Sequence, residues 1–410
     1  MKRGHRIALK PTQQQEAAFR QHAGYARFAY NWAVNEFKTG LESGEWLSEK
    51  TLRPRWNKVK RRIAPWSHPL SQNAAKYAII NFGRAADGWG TSRIAVKSGK
   101  CRGRRVGFPR FKRRKHEQGF RADNGPGTVR VDGKTVRLPK IGMVPMVEEL
   151  RFTGSIREVT INRTAGVWFA CFSVEDGQPI PPVKPGQVVG VDVGVGVLAV
   201  CSNGLRVRNP KSLNARVERL RRIDKALARS RNVHGKTNRS KRRDRMLARR
   251  RRIHAKIVRV RNDNHHKATT AIAKRASLVV VETLNVSGMT RNRRLARAVA
   301  DAGLSGFLAM LEYKCVWYGS EFVKADRWFP SSQLCARCGW RNAELTLSDR
   351  RWRCGGCGVL NERDENAALN LKNWPSSSFS VSGRGDRASP TKSAVACEAS
   401  TGPVAAPGLN

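Results

Sequence analysis

Three acidic residues stand in segments that otherwise read as buried. Asp192 lies inside VVGVDVGVG, Glu282 ends LVVVE, and Asp364 lies in NERDENAALNLKNW, just ahead of the helical stretch AALNL. Burying an unpaired carboxylate is costly, so such placements call for a reason. Phosphodiester hydrolysis offers one. It needs a poised water and a stabilised leaving oxygen, and two Mg²⁺ ions about 3.5–4 Å apart can supply both. Hard cations take oxygen ligands. Taken singly, each acid has an ordinary account: a turn Asp, a strand-end Glu, a helix N-cap. Taken together, on a strand, a second strand and a helix start, Asp192, Glu282 and Asp364 are the candidate catalytic and metal-holding residues of a nuclease using Mg²⁺ or Mn²⁺. Val191 and Val193 point away from Asp192 on an extended strand, so its carboxylate leaves the sheet beside a Gly-rich turn.

A second pattern is sulfur. Cys335-x-x-Cys338 and Cys354-x-x-Cys357 are two knuckles, with Gly339 and Gly358 placed to allow their tight turns. Four thiolates match tetrahedral, structural Zn²⁺; a redox pair or an iron–sulfur site is the alternative. The cluster precedes Asp364, so its metal is expected to brace the third acid's segment. Arg337, Arg341, Arg350, Arg351 and Arg353 would make the same ribbon a DNA contact. The other cysteines, Cys101, Cys171, Cys201, Cys315 and Cys397, are dispersed and read as reduced thiols. Rival chemistries lack their residues: there is no P-loop, no His-Glu-x-x-His, and no histidine after His266.

The elements around these residues are strongly basic. The chain of 410 residues carries 79 Lys and Arg against 31 Asp and Glu, a formal charge of +48. A compact body of that charge needs a polyanion, and nucleic acid releases condensed counterions when it binds. The start MKRGHRIALK has no apolar stretch behind it, and no apolar run is long enough to span a bilayer; a cytoplasmic protein with no membrane partner is expected. Residues 5–10 read as a strand. Thr12 and Gln15 form a capping box, followed by Phe19, Ala23, Ala26, Tyr30, Ala33 and Phe37 on one helical face. Pro and Gly breaks follow, then a second helix from about Leu70 to Ala86. The tryptophans between them read mainly as packing. TVRVDGKTVRLPK and VTINRTAGVWFACFSVE are hairpins turning at Asp132-Gly133 and Ala165-Gly166. Residues 178–186 are a linker. Residues 216–261 hold 20 Lys and Arg and three acids, with Leu220, Ile223, Leu227, Met246, Ile253, Ile257 and Val260 at helical spacing: two long basic helices joined around Asn232–Asn238. Arg219, Arg222, Arg242, Arg243, Arg249 and Arg250 on these helices, with Arg110 and Lys112 in GFPRFKRRK, are the candidate nucleic-acid contacts.

In this order, KPTQQQ with YARFAYNWAV, FPRFK, LPKIG, VGVDVGV, NRSKRR, VVVETLNV, PSSQLCARCG, CGGC and RDENAALNL resemble the TnpB (OrfB) family of insertion sequences, over about residues 1–374. That family is related to compact CRISPR effectors with a single RuvC nuclease. The resemblance implies an α/β RuvC/RNase H-like nuclease domain with a zinc ribbon insert, and an N-terminal wedge-like β-barrel with a helical recognition insert. The expected boundaries are 1–10 and 117–180 for the barrel and 11–116 for the helical insert with its basic loop. The nuclease takes 186–374, with Arg-rich helices at 212–275 and the ribbon at 331–360, and a disordered tail follows over 375–410. The resemblance also implies an RNA-guided DNA endonuclease. Its partners would be a guide RNA from the element's end and double-stranded target DNA next to a short flanking motif. Asp192, Glu282 and Asp364 take the family's metal positions, and the four cysteines its zinc positions. By the same resemblance, strand transfer would belong to a separate transposase of the same element. The alternative is a transposon-encoded transposase or accessory DNA-binding protein without guided cleavage.

Overall fold

A computed structural model of the chain describes residues 1–99, 106–114, 119–123, 127–234, 240–346, 348–378 and 397–399. It divides into two compact units, one built from Lys2–Gly177 with the C-terminal residues from Cys397, the other from Gln178–Ala396 with Met1.

The first unit opens with β1 (Lys2–Ala8), followed by α1 (Gln13–Glu42), α2 (Glu49–Ile63) and α3 (Gln72–Lys97). The capping box forms as expected: the Gln15 N–H donates to Thr12 Oγ1 at 3.2 Å and the Thr12 N–H to Gln15 Oε1 at 3.0 Å. Phe19, Ala23, Ala26, Tyr30, Ala33 and Phe37 are all buried. The expected helix from about Leu70 is α3; α2 was not expected, because Pro54 reads as a break. It forms nonetheless: Ser48 caps it, and Leu52 and Trp56, one turn apart, are buried in the shared core. Strands β2 (Gly119–Asp123), β3 (Arg130–Asp132), β4 (Thr135–Leu138), β5 (Gly142–Pro145), β6 (Ser155–Thr164) and β7 (Val167–Glu175) complete the unit. Both expected hairpins are present. Ala165 and Gly166 have φ of 52° and 93°, the positive pair that a two-residue turn between twisted strands requires. One sheet runs Cys397–Ala399, β1, β7, β6, β2, and the other β3, β4, β5, with a bridge between Leu9 and Met146 joining them. The helices are not a separate body: Phe19 and Phe82 share one core with Phe120, Val136 and Phe172.

The second unit contains β8 (Gln187–Val193), β9 (Val197–Cys201), β10 (Arg206–Arg208), α4 (Val217–His234), α5 (Lys241–Arg275), β11 (Ala276–Val281), α6 (Val286–Arg291), α7 (Ala296–Ala302), α8 (Leu304–Tyr318), β12 (Glu321–Lys324), β13 (Arg351–Arg353), β14 (Leu360–Glu362) and α9 (Arg363–Ser378). Its sheet has the order β10, β9, β8, β11, β12; the first three strands are antiparallel neighbours, and β8, β11 and β12 are parallel. This is the RNase H-like arrangement. Parallel strands are buried on both faces, which is why β8 and β11 read as apolar runs rather than alternations. Val189, Val191, Val193, Val279 and Val281 share a core with α5 and α8 residues, whereas Val188, Leu278 and Val280 pack with Leu371 and Trp374 of α9.

The basic helices α4 and α5 pack through Leu220, Ile223, Ile253 and Ile257, with Leu227 and Met246 partly buried beside them; Val260 is half-buried outside this cluster. The expected joint falls partly on residues 235–239, outside the described residues. Asp301, a buried acid with a structural role, holds the base of this pair: its carboxylate accepts the Leu213 and Asn214 N–H groups at 2.8 and 3.0 Å. The linker contributes Lys184, whose ammonium donates to the carbonyls of Ala273, Lys274 and Tyr318 at the C-terminal ends of α5 and α8. The expected tail starts too early: α9 continues through Pro375 to Ser378, and Cys397–Ala399 pairs parallel to β1. The rest of 379–410 lies outside the described residues. Among the described residues, no helix is long and apolar enough to cross a membrane.

Candidate active site

Side chains alternate along a strand. With Val189, Val191 and Val193 committed to the α5/α8 side of β8, Gly190 and Asp192 face α9. Gly190 explains how closely that helix approaches. A Cβ there would collide with the Ala368 carbonyl and the Lys372 N–H, so only glycine lets the α9 backbone lie directly on the strand. Ala367 and Ala368, fully buried and small, line the same contact. Asp364 is in the first turn of α9, where a carboxylate is favoured by the helix dipole. Glu282 follows the last residue of β11, and Val281 of that strand pairs with Val191, the neighbour of Asp192. Two strands and one helix start therefore bring the three acids to one end of the sheet.

Their proximity shows in the electrostatics as well as in the topology. Burial, and then the Glu282 and Asp364 carboxylates, hold the Asp192 carboxyl well above the usual range, with Arg363 pulling the other way. Cations border the cluster. Arg350 Nη1 is 3.4 Å from Asp364 Oδ1, and Arg206 pairs with Glu362 and Glu365 at 2.7 and 2.5 Å. The hydroxyl of Ser331 donates to Glu282 Oε1. Neither Ser331 nor Arg206 stands out in the sequence, since their partners are 49 and more than 150 residues away. Oxygen donors of this kind suit Mg²⁺ or Mn²⁺.

The cysteine knuckles are built alike. The Gly339 and Gly358 N–H groups donate to the Cys335 and Cys354 carbonyls at 2.8 and 2.9 Å, and both glycines take the expected positive φ, 77° and 70°. The sulfurs of Cys335 and Cys357 are 3.8 Å apart and those of Cys338 and Cys354 are 3.5 Å apart, all four lying within 4.8 Å of one another. Tetrahedral Zn–S bonds of about 2.3 Å place sulfurs about 3.8 Å apart, so the cage fits zinc. Burial opposes ionisation of Cys335, but the Cys338 and Arg337 N–H groups and the Asn361 amide bring its thiol down to about 6. Among the described residues this is the one tight cluster of three or more potential metal ligands; the carboxylates are more spread. Two asparagines connect the two centres. Asn366 donates to the Leu334 carbonyl at 2.6 Å and accepts the Ala336 N–H at 2.9 Å; Asn370 donates to the Ser331 and Leu334 carbonyls, both at 2.7 Å. The first knuckle is thus tied to the helix that carries Asp364.

The candidate nucleic-acid contacts divide. Arg219, Arg222, Arg242 and Arg249 are exposed on α4 and α5. Arg250 is engaged by Asp224 at 2.7 Å, a pair between the two helices, and Arg243 is half-buried. In the first unit, Arg110 is exposed, while the Lys112 ammonium lies 4.1 Å from the Tyr30 ring centre. Lys112 as a whole is exposed, yet burial around its ammonium lowers its pKa. The side chain of Asn31 brackets the Lys112 backbone, accepting its N–H at 2.7 Å and donating to its carbonyl at 3.0 Å. Of the ribbon arginines expected on DNA, Arg341 bonds Gln333, Arg350 faces Asp364 and Arg353 donates to the Gly358 carbonyl. Arg337 and Arg351 are both exposed.

Comparison with known proteins covers the same segments. A family model described as "Probable transposase" (OrfB_IS605) matches residues 171–293, which include Asp192 and Glu282. A Cas12f1-like TNB domain matches 305–371, which include the four cysteines and Asp364. A model described as a helix-turn-helix domain matches 1–45; here those residues form β1 and the single long helix α1. A Mycobacterium tuberculosis protein named "Putative RNA-guided DNA endonuclease" is 33% identical over 408 residues, covering 90% of this chain and 85% of its own. InsQ of Escherichia coli K12, named in the same words, is 29% identical, covering 89% and 90%. The solved structure of a Cas12f1–sgRNA–target DNA complex matches in fold, with a TM-score of 0.50 at 15% identity, covering 88% of this chain and 83% of that one. Identity at this level over nine-tenths of its length, together with the family's own model across the first two acids, makes the chain a member of the OrfB (TnpB) family.

Proposed function

We propose that the protein is an RNA-guided DNA endonuclease that hydrolyses phosphodiesters at Asp192, Glu282 and Asp364. One observation carries the reading: three carboxylates from β8, the end of β11 and the start of α9 converge closely enough for two of them to raise the pKa of the third. Like charges so arranged, on a chain with a formal charge of +48, are a place for cations rather than for an anion. The three acids would hold Mg²⁺ or Mn²⁺, which when bound supplies an activated water and stabilises the leaving oxygen. The chain's own contribution is alignment. Gly190 seats α9 so that Asp364 reaches the Asp192 strand, Ser331 fixes one oxygen of Glu282, and Arg350 meets Asp364 from the solvent side, where it can neutralise an incoming phosphate. The cysteine cage would hold one structural zinc. The exposed arginines of α4 and α5 would hold the backbones of a guide RNA and its target, which need shape and charge rather than base readout.

The test begins with protein expressed together with its native downstream DNA, followed by sequencing of the RNA that copurifies. A discrete RNA ending in a variable segment, and Mg²⁺-dependent cutting of DNA matching that segment, is the expected result. Mixed cellular RNA and no matched cutting would overturn the guided reading.

A further inference from the structure

Trp328 is 81% exposed, an unusual position for the largest amphipathic side chain. Its surroundings suggest a purpose. The loop that carries it leaves β12 at Ala325 and comes back at Ser331, and both ends are fastened beside Glu282. At the outgoing end, the Ala325 N–H donates to the Val281 carbonyl at 2.8 Å, and Thr283 Oγ1 donates to the Ala325 carbonyl at 2.6 Å. At the returning end, Ser331 Oγ donates to Glu282 itself. Between them the loop is braced from within: the Trp328 N–H donates to Asp326 Oδ1 at 2.7 Å, and Phe329 packs under it with Val280 and Leu371. Trp328 stands midway, three residues from each fastened end, so its backbone is within about 11 Å of both. The guanidinium of Arg327 lies 5.2 Å from the centre of the indole, on one side of it, and the ring remains open to solvent.

We infer that Trp328 is a stacking platform for one nucleobase of the DNA strand being cut, placed one or two nucleotides from the scissile phosphate. An exposed indole beside a guanidinium is the surface that single-stranded bases take up, and every base offers it a π-face, so the contact carries no sequence preference. Its rigidity follows from the loop's double fastening: a base seated on Trp328 sets the distance from the sugar–phosphate chain to Glu282. The inference rests on the nuclease reading above.

The experiment uses the RNA-loaded protein carrying Asp192→Asn, which should bind target without cutting it. Target strands carry 2-aminopurine at successive positions around the cut, whose fluorescence falls on stacking. Quenching at one position, relieved by Trp328→Ala and kept by Trp328→Phe, is the expected result. With Asp192 intact, Trp328→Ala should raise KM for a single-stranded target about 10-fold, with a smaller effect on kcat. Because the ring is exposed, the variant should melt with the wild type. A 2-aminopurine profile and KM unchanged by Trp328→Ala, in a preparation whose wild type cuts normally, would overturn the platform alone. A wild type that does not cut would overturn the nuclease reading and the platform with it.

Discussion

Asp192 is held in a place its own chemistry disfavours, half-buried beside two other carboxylates, and that tension is testable. Asp192→Asn removes one of three like charges while keeping the shape. Cleavage should fall at least about 100-fold, RNA and target binding should stay within about two-fold of wild type, and the melting temperature should hold or rise. Cutting that persists in a gel assay would mean that another residue holds the metal. Ser331 acts one step away, by orienting Glu282. Ser331→Ala should slow cleavage about 10-fold or more and weaken Mn²⁺ binding measured by calorimetry, since ligand-orienting partners typically contribute that much. Ser331→Thr keeps the hydroxyl and should recover most of the loss. Equal Mn²⁺ affinities in Ala and Thr variants would remove Ser331 from the site.

Between elements, the decisive contact is α9 on β8. Gly190→Ala would drive a methyl group into the helix backbone, so the helix must lift and take Asp364 with it. Loss of cutting and a destabilisation of about 1–3 kcal/mol are expected from overpacking so tight an approach, read by urea denaturation. Gly196→Ala, in open space on the same turn region, is the control and should be near neutral. The knuckles make a second prediction. Cys354→Ser should lower bound zinc, measured by mass spectrometry of the metal, and melting temperature together. Because Asn366 and Asn370 join the first knuckle to α9, cleavage should fall as well. Full zinc content and unchanged melting would refute the cage.

Across the whole molecule, charge governs affinity. Each phosphate neutralised contributes to the slope of log affinity against log salt, by about 0.7–0.9 per contact. Arg222→Glu and Arg249→Glu, both on exposed faces, should weaken RNA binding and flatten that slope. Arg250→Ala removes a cation that Asp224 already occupies, and should change the slope less than either. Filter binding across a salt series separates the two classes; equal effects would mean that the Asp224 pair opens on binding.

What is local is written in the sequence. The capping box at Thr12, the hairpins at Gly133 and Gly166, the apolar stripes of α1, α4 and α5, and the two knuckles with their turning glycines depend on neighbours within a few residues, and each is written in spacing. Asp192 and Glu282 stand out in the sequence because a carboxylate is conspicuous among valines, and Asp364 because it directly precedes a helical stretch. Tertiary structure alone decided which cations and hydroxyls meet them. Ser331 reaches Glu282 across 49 residues, and Arg206 reaches Glu362 across 156, with no periodicity to announce either. It likewise engaged Arg250, Arg341 and Arg353 with partners inside the fold, since a surface charge seeks whatever opposite charge or carbonyl the fold brings near. The helix α2 formed through its Pro54 because Leu52 and Trp56 had a core to enter, and burial outweighed the local break. Local rules fix most of the elements; only the packed chain fixes those that defy them, as α2 does, and which distant side chains share a site.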